Sequence, residues 1–520
     1  MLLTVRRCGR QTPPCDACYD DAMTARSTLE TLHFDNTFAR LPDVFSAKVT
    51  PTPLKNPFLV SFNPDAAALI DLDPEEAKRP EFAGCFGGQY LLPGSEPLAM
   101  AYAGHQFGAY VSRLGDGRAI LLGEVRNSRG EKWDLHLKGA GLTPFSRDDD
   151  GRAVLRSCIR EYLCSEAMHG LGIPTTRALC VVGSQEEVLR EQVEPGSMLL
   201  RLAPSHVRFG HFEYFYWRRQ FDHIKTLADY VIAQGYPNLP HVPDPAGGPD
   251  AYTRFYHDVA VRTARLIAKW QAVDFAHVVM NSDNMSVLGM TLDYGPFGFL
   301  DDYDPGFICN HSDRHGRYAF RNQPDIGYFN LRCLAQALTP LVPEEAIKAG
   351  LDAYEAAFAE GYGALMQAKL GLKELRSGDD TLIRDLLDLM RGSCADYTTV
   401  FRSLCNFTQA REGRNDALRD FFVDRNAFEA WATRYKERLR AEGSHDEERS
   451  ARMRRVNPKY VLRNYLAHTA IQMATEQKDF SEIERLRRLL GDPFAEQPEM
   501  DRYAAPPPDW GKRLIVSCSS

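Results

Sequence analysis

Residues 133–138 read Trp-Asp-Leu-His-Leu-Lys and alternate strictly between apolar and polar side chains. In an extended chain, the three apolar residues fall on one face and the three polar residues, ending in Lys138, on the other. Before this segment, residues 110–125 predict two strands around a Gly-Asp-Gly turn. After it, residues 152–170 change to helical spacing. This order indicates strands followed by a helix.

Two further strands are predicted at residues 178–182 and 198–202. The region from about 100 to 205 is therefore expected to form a mostly antiparallel sheet that carries one helix. From about residue 216 onward, helical spacing dominates. Amphipathic helices are predicted at residues 252–273, 343–369, 380–391, 416–440 and 452–475. The predicted fold class is α+β.

The composition restricts the class of protein. The chain has 520 residues, 44% of them hydrophobic, which is enough for two or three domains. Its 62 basic and 70 acidic side chains give a net charge of −8. That charge argues against a general nucleic-acid-binding protein but leaves room for a local basic groove.

The sequence also bears on where the protein is located and whether it associates with a membrane. No stretch approaches the length of about 18 apolar residues that a membrane span needs. The first seven residues are too short and too little apolar for a secretory signal, and Asp16, Asp20 and Asp21 weaken a transit-peptide interpretation. We expect a cytoplasmic protein with no membrane or nucleic-acid partner.

The twelve cysteines are scattered and do not suggest a disulfide framework in a chain of this size. Cys15 and Cys18 form a CxxC pair near Cys8, but no second pair or histidine lies close by, so a metal site there is not favoured. Cys518 lies near the end of the chain. A thiol on an exposed tail has no packing role, so a redox role is one interpretation.

Two features between residues 115 and 161 suit phosphate binding. The glycines of Gly115-Asp-Gly117 let backbone amides approach phosphate oxygens, and Arg118 adds charged donors. An ordinary hairpin turn explains the same sequence. Lys138 on its strand and Glu161 on the next helix resemble the lysine–glutamate pair of protein kinases. The alternative is that both are ordinary surface charges.

Two arginines could add to a phosphate site. Arg201 ends a predicted strand, Arg208 follows soon after, and guanidinium groups bind phosphates through two donors while staying charged. His206 and His211 flank Arg208, but no third metal ligand is evident. Packing or hydrogen bonding is the favoured interpretation of both histidines.

The candidate catalytic and metal-binding residues lie in residues 281–295, Asn-Ser-Asp-Asn-Met-Ser-Val-Leu-Gly-Met-Thr-Leu-Asp-Tyr-Gly. Asp283 could accept a hydroxyl proton. Asn284 and Asp293 offer hard oxygen ligands for magnesium. The alternative is an Asx-rich turn before a strand at 285–292. That alternative does not account for the whole set of residues, which arrives in the order of a kinase fold.

Four longer motifs carry a specific resemblance. They are Tyr102-Ala-Gly-His-Gln-Phe-Gly108, Leu137-Lys-Gly-Ala-Gly-Leu-Thr-Pro-Phe-Ser-Arg147, Ser205-His-Val-Arg-Phe-Gly-His-Phe-Glu213 and Asp293-Tyr-Gly-Pro-Phe-Gly-Phe-Leu-Asp-Asp-Tyr-Asp-Pro-Gly-Phe-Ile-Cys-Asn-His-Ser312. From about residue 30 to the tail, the chain resembles the selenoprotein O family. Two departures are mild: Val278 follows His277 where the family usually has glycine, and Ser282 replaces its usual threonine.

The resemblance implies a protein-kinase-like fold of two lobes, with a mostly antiparallel N-lobe sheet and a helical C-lobe. The boundaries expected from it are a tail at 1–45, the N-lobe at 46–215, the C-lobe at 216–340 and a helical extension with a cysteine-containing tail at 341–520.

The resemblance also implies an activity: transfer of AMP from ATP to Ser, Thr or Tyr hydroxyls of proteins, with the nucleotide flipped relative to kinases. Magnesium is the expected metal, with manganese as the alternative. The nucleotide contacts that the resemblance implies are Gly115, Gly117, Arg118, Lys138, Asp150, Gly151, Arg201, Arg208 and Asp293. It further implies Asp283 as base, Glu161 as partner of Lys138, Asn284 and Asp293 as metal ligands, and a disulfide between Cys309 and Cys518.

The adjacency of Asp283 and Asn284 fits this activity. An ordinary kinase loop begins His-Arg-Asp and separates its Asp from the metal-binding Asn by several residues. The sequence therefore favours attack at the α-phosphate over ordinary phosphoryl transfer. A catalytically silent nucleotide-binding scaffold and an ordinary protein kinase remain the alternatives.

Overall fold

The computed structural model describes residues 26–239, 250–410, 415–514 and 516. Its first part holds one large antiparallel sheet that ends at Ala203, and helices dominate the rest. This confirms the predicted α+β class. Among the helices of the described ranges, none combines the length and apolar character needed to cross a bilayer.

The strands of the described residues are mostly short. They are β1 (Ser46–Lys48), β2 (Phe58–Phe62), β3 (Leu98–Met100), β4 (Gly104–Gln106), β5 (Ala109–Val111), β6 (Ala119–Arg126), β7 (Lys132–Lys138), β8 (Ala153–Val154), β9 (Arg177–Leu189), β10 (Val193–Ala203), β11 (Phe275–Ala276) and β12 (Gly298–Phe299). The predicted strands at 133–138, 178–182 and 198–202 are confirmed as parts of β7, β9 and β10.

The α-helices of the same residues follow the predicted positions for the most part. They are α1 (Pro64–Ala67), α2 (Pro80–Phe86), α3 (Leu155–Gly170), α4 (Phe209–Trp217), α5 (Phe221–Gly235), α6 (Ala251–Ala272), α7 (Gln323–Leu338), α8 (Glu344–Lys369), α9 (Asp379–Ser393), α10 (Tyr397–Leu404), α11 (Asp416–Arg419), α12 (Arg425–Ala441), α13 (Asp446–Arg454), α14 (Asn464–Gln472) and α15 (Ser481–Gly491).

The large sheet has the strand order β1-β3-β6-β7-β10-β9-β2, and β8 pairs separately with β10. Neighbouring strands are antiparallel throughout. Two small antiparallel sheets, β4 with β5 and β11 with β12, lie outside it. β7 and β10 are adjacent at the centre of this sheet. Lys138 on β7 and Arg201 on β10 therefore lie on neighbouring strands.

Both faces of β7 are buried, for different reasons. Leu135 and Leu137 belong to an apolar cluster with Phe82 and Phe86 of α2. The polar face is covered as well, and its last member, Lys138, is only 7% exposed. A buried polar face requires internal hydrogen-bond or ionic partners, and these partners form the candidate site.

The hairpin predicted across residues 110–125 is wrong. β5 pairs with β4, and β6 lies between β3 and β7. The tight turn falls instead at Phe107 and Gly108, both with positive φ, which is the geometry of a two-residue hairpin. The glycines at 115 and 117 lie in the connection between two separate sheets.

Two predicted helices are each interrupted. The helix predicted at 416–440 is divided into α11 and α12, and Asp424 caps α12 by accepting a 2.9 Å hydrogen bond from the Ala427 N–H. The helix predicted at 452–475 is also divided, because α13 ends at Arg454 and α14 begins at Asn464. Pro458 lies in the gap, where its ring and missing N–H disfavour a continuous helix.

The strand considered at 285–292 does not form. Its ends, Met285 and Thr291, make an isolated bridge to each other, so the segment folds back on itself. This turn places Asp293 close to Asp283 without an intervening strand.

Candidate active site

A cleft of about 450 Å³ lies where β6, β7 and β10 meet residues 279–296. The structure brings together nine of the residues predicted from the sequence. Those that line the cleft are Gly115, Gly117, Arg118, Lys138, Arg201, Arg208, Asp283, Asn284 and Asp293. Glu161 contacts Lys138 directly, whereas Asp150 and Gly151 are not part of the lining.

Five charged side chains form a continuous set of ion pairs, which we call the cleft network. Lys138 Nζ pairs with Glu161 Oε2, and Arg201 Nη1 lies 3.0 Å from Glu161 Oε1. Arg201 and Arg208 each pair with one oxygen of Asp293. Lys138 and Glu161 are both buried, so they are not the surface charges of the alternative interpretation.

The charges of the cleft network do not balance. Three cations, Lys138, Arg201 and Arg208, face two carboxylates, Glu161 and Asp293. Burial acts to raise the pKa of Asp293, but the charges of Arg208, Arg201 and Lys138 outweigh it and hold that pKa well below its usual value. A buried excess of positive charge beside a cleft favours an anionic ligand.

The turn at Gly115 and Gly117 is held by the segment that follows β7. A Cβ on Gly115, whose φ is +70°, would lie 2.4 Å from Phe145 Cγ, so only glycine fits. Thr143 Oγ1 donates a 2.6 Å hydrogen bond to the Asp116 carbonyl, and Ser146 donates to the Gly117 carbonyl. These contacts fix the turn at the edge of the cleft.

Asp283 lies in a 3₁₀ turn, Ser282–Asn284, and is 7% exposed. Its Oδ2 accepts a 3.2 Å hydrogen bond from Gln106 Nε2, while Oδ1 has no hydrogen-bond partner among the described residues. Burial raises the pKa of Asp283 to about 7, and Arg208 and Gln106 oppose this rise. A carboxyl group with such a pKa is suited to exchange a proton near neutral pH.

Asn284 and Asp293 offer oxygen atoms to the same cleft. Asn284 Nδ2 donates a 2.9 Å hydrogen bond to the Val279 carbonyl, which leaves its side-chain oxygen available. Asp293 already pairs with two arginines, but a carboxylate has enough lone pairs to bind a cation as well. This donor set is suited to a hard divalent cation such as Mg²⁺.

The β4–β5 hairpin packs on the turn that carries Asp283. The His105 N–H donates a 2.7 Å hydrogen bond to Ser282 Oγ. The Phe107 N–H donates to Tyr318 Oη at 2.8 Å, and Tyr318 in turn donates to Asn281 Oδ1 at 2.6 Å. The hairpin therefore orders the backbone on both sides of Asp283.

Asp150 is linked to the cleft through an arginine. Arg190 lines the cleft and donates two hydrogen bonds, of 2.7 and 2.9 Å, to the Asp150 carboxylate. The Arg190 hydrogen bonds lower the pKa of Asp150 to about 2. At Gly151 a Cβ would lie 2.2 Å from the Gly141 carbonyl oxygen, so this position packs too closely for any other residue.

Among the polar residues that the sequence predictions missed, four make contacts that bear on the site. Gln106 and Arg190 line the cleft, and buried Asp116 accepts a 3.1 Å hydrogen bond from His136 Nε2. Arg201 Nη2 lies 2.6 Å from the other ring nitrogen of His136. The one available signal was the strict alternation of 133–138, which places His136 on the same face as Lys138.

His206 and His211 both make hydrogen bonds, which confirms the interpretation favoured from the sequence. His206 Nδ1 lies 3.1 Å from an Asp134 oxygen, and its ring stacks on His136 at 4.3 Å between centroids. His211 Nδ1 accepts a 3.0 Å hydrogen bond from the Arg208 N–H. Both rings therefore help to position Arg208 and the polar face of β7.

Val278 adopts a left-handed backbone conformation, with φ of +53°, and is fully buried. A β-branched side chain rarely adopts this conformation, whereas glycine does so readily. The glycine expected here from the family resemblance therefore matches the backbone, and valine carries local strain.

Of the cysteines singled out from the sequence, only Cys309 lies within the described residues. Cys309 is half-buried, and the residue after it, Asn310, forms a parallel bridge with Val516. Val516 thus lies beside the Cys309 segment. Cys518 and the group of Cys8, Cys15 and Cys18 lie outside the described residues.

Arginine and lysine side chains around a glycine-containing turn are typical of a protein that binds a polyphosphate. A buried carboxyl group with a raised pKa in the same cleft is typical of a group-transfer enzyme.

Comparison with known proteins identifies the family. Residues 28–490 match the family model described as "Protein adenylyltransferase SelO". The chain is 60% identical over 494 residues to the protein nucleotidyltransferase YdiU of Myxococcus xanthus, covering 95% of this chain and 100% of that protein. It is 58% identical over 496 residues to the protein of the same name from Thiobacillus denitrificans, with coverage of 95% and 100%. The chain therefore belongs to the SelO family of protein adenylyltransferases.

Proposed function

We propose that this protein transfers AMP from ATP to serine, threonine or tyrosine hydroxyls of other proteins. The observation that carries the proposal is the positive excess of the cleft network beside the carboxyl group of Asp283. The printed names of the relatives, which describe protein nucleotidyltransferases, supply the nucleotide and the protein as the two substrates.

A kinase-like arrangement of two lobes is part of the proposal. Lys138 on a central strand pairs with Glu161 on the following helix, as the corresponding pair does in protein kinases. The lobes would comprise residues 46–215 and 216–340, with 341–520 as a helical extension. The apolar cluster formed by α9 to α13 and the end of α8 supports separate packing of that part of the extension, whereas α14 and α15 pack in the main core with α3.

In the proposed reaction, Arg201, Arg208 and Lys138 bind the phosphates of ATP and offset their charge. The substrate hydroxyl oxygen attacks the α-phosphorus, and its proton passes to Asp283. The bond between the α-phosphorus and the oxygen bridging to the β-phosphate breaks, so that pyrophosphate leaves and AMP stays on the substrate oxygen. Preorganised cations stabilise the charge that develops on the leaving group.

Asn284 and Asp293 would hold magnesium, with manganese as the alternative, because both cations accept such oxygen ligands. The metal would supply Lewis-acid stabilisation of the leaving pyrophosphate.

Incubation of the protein and a cell lysate with ATP labelled at the α- or the γ-phosphate tests this function. We expect the α-label alone to enter protein, and Asp293→Ala to abolish that signal. Asp301→Ala, outside the cleft, is the control. The γ-label alone would identify an ordinary kinase, and no label a silent scaffold; either outcome contradicts the proposal.

We also propose that Cys309 and Cys518 form a regulatory disulfide. The bridge between Asn310 and Val516 supports this pairing because Asn310 follows Cys309 directly and Val516 is close in sequence to Cys518. We expect Cys518→Ser to change the mobility of the protein on non-reducing gels, with exposed Cys394→Ser as control. Unchanged mobility and activity in the Cys518 variant would overturn the pairing.

A further inference from the structure

Three potential metal ligands of different chemical kinds meet beside the active-site cleft. They are His105 on β4, Glu213 on α4 and Cys333 on α7, and one ligand atom of each lies within 4.8 Å of the others. Glu213 and Cys333 are buried, and His105 is partly buried. None of the three has a role predicted from the sequence.

Glu213 is the unusual member of this cluster. Its side chain is 0% exposed, and Oε2 lies 2.5 Å from His105 Nδ1. Its second oxygen, Oε1, has no hydrogen-bond partner among the described residues. A buried carboxylate with an unused oxygen is energetically unfavourable, and a bound ion is one of the few arrangements that relieve it.

We propose that His105, Glu213 and Cys333 bind a divalent cation of the zinc type. A thiolate, an imidazole and a carboxylate together match the ligands that zinc accepts, whereas magnesium prefers oxygen ligands throughout. Tetrahedral zinc ligands lie about 3.3 to 3.8 Å apart at the usual bond lengths. Metal binding thus requires the His105–Glu213 pair, now 2.5 Å apart, to separate by about 1 Å, with all three ligand atoms staying within the present 4.8 Å of one another.

Binding replaces the hydrogen bond between His105 Nδ1 and Glu213 with one bond from each residue to the metal, and the neutral imidazole then carries its proton on Nε2. The Cys333 thiol loses its proton to solvent when its sulfur binds, as metal ligation by cysteine requires. With two anionic ligands, the divalent charge is balanced. Three protein ligands leave the fourth position for a water molecule.

This site would join three elements around the catalytic turn. His105 also donates its N–H to Ser282 Oγ at 2.7 Å, and the next residue, Gln106, donates to Asp283. A metal at His105 would therefore fix the β4–β5 hairpin against α4 and α7 and position the proposed base. This consequence rests on the proposed function, whereas the metal site itself does not.

The first test measures zinc content of the full chain by inductively coupled plasma mass spectrometry, after exposure to zinc and dialysis. We expect about one zinc per chain in the wild type and a loss of at least about tenfold in Glu213→Gln and Cys333→Ala. Cys405→Ala, which changes another buried cysteine far along the chain, should retain the wild-type content. Zinc content that is unchanged in both cluster variants would overturn the proposal.

The second test uses the wild type alone, so it does not depend on the folding of a variant. Cobalt(II) added to the metal-free protein should give a thiolate-to-cobalt charge-transfer absorption with tetrahedral d–d bands, because one ligand is a cysteine sulfur. Absence of both the cobalt spectrum and bound zinc would contradict the site. Neither readout uses ATP, so failure here is distinguishable from failure of AMP transfer.

Discussion

The cleft network differs from a second buried ionic cluster in the helical part of the chain. In this second cluster, which we call the helical cluster, Arg463 lies 2.6 Å from Asp301 and 2.7 Å from Asp396. Asp396 also accepts a 2.8 Å hydrogen bond from the Thr399 N–H and so caps α10. Here one cation faces two carboxylates, whereas in the cleft network three cations face two.

Solvent exposure does not separate the two clusters, because the side chain of Asp293 is 22% exposed and that of Asp301 is 19% exposed. What differs is that Asp293, Arg201 and Arg208 line the cleft. The helical cluster joins segments that are distant in the sequence, and no ligand is needed to explain it. Buried charge alone does not identify a functional site; a positive excess that faces a cleft does.

The largest expected effect is the loss of activity on replacing Asp293. Asp293→Asn preserves the shape but removes the negative charge that would hold the metal, so AMP transfer should fall by about 1,000-fold. The melting temperature should fall as well, because the two buried arginines lose their carboxylate partner, so activity is compared at a temperature at which the variant stays folded. The measurement is α-label transfer at saturating ATP, with Asp301→Asn as the matched control.

Arg463→Met should affect stability rather than chemistry. Removing this guanidinium leaves buried Asp396 and partly buried Asp301 without their cation, which should lower the free energy of unfolding by about 3 kcal/mol. Urea unfolding measures the loss, and ATP affinity of the folded variant should match the wild type. If ATP affinity falls instead while stability holds, the division between the two ionic clusters is wrong.

Local patterns predicted much of the fold. The alternation at 133–138 and the helical spacing at 252–273 and 343–369 each depend on neighbouring residues, and β7, α6 and α8 formed there. The pairing of β5 with β4 was missed because strand pairing depends on contacts that a local pattern does not contain. The interruption of the helix predicted at 452–475 did have a local signal, Pro458. The prediction followed the helical spacing of the apolar residues instead.

The charged residues of the candidate site could be predicted from the sequence, but the neutral residues that hold them in place could not. Lys138, Arg201 and Asp293 stood out because each is a charged residue in an ordered series. Gln106 and His136 did not, since a neutral polar side chain has no distinctive pattern. Their roles arise from the three-dimensional approach of β4 to the 3₁₀ turn and of β7 to β10.

The pH dependence of activity should separate the cleft from the helical cluster. Because burial raises the pKa of Asp283 to about 7, its carboxyl group is protonated below that pH and accepts no proton. AMP transfer should therefore increase with pH and level off above about 7, and at pH 5 it should be about 100-fold below the plateau.

A pH–rate profile of kcat, combined with circular dichroism at each pH, measures this dependence. The fold should persist while activity falls. An activity that stays constant down to pH 5 would show that Asp283 is not the base.

The smallest expected effect comes from Gln106. Gln106→Ala removes the 3.2 Å hydrogen bond to Asp283 Oδ2, which should lower kcat by about tenfold, the equivalent of about 1.4 kcal/mol. The KM for ATP should stay the same because Gln106 contacts the proposed base rather than the proposed phosphate ligands. The neighbouring exposed residue Phe107→Ala is the control, and an equal loss in both variants would assign the effect to the hairpin as a whole.

The most direct test of the central claim is peptide mass spectrometry of a lysate incubated with ATP and either the wild type or Asp293→Asn. The mass added to each modified residue distinguishes adenylate from phosphate. The account predicts adenylate on serine, threonine or tyrosine with the wild type and none with the variant. Phosphate on those residues, or the same adenylate with both proteins, would contradict it.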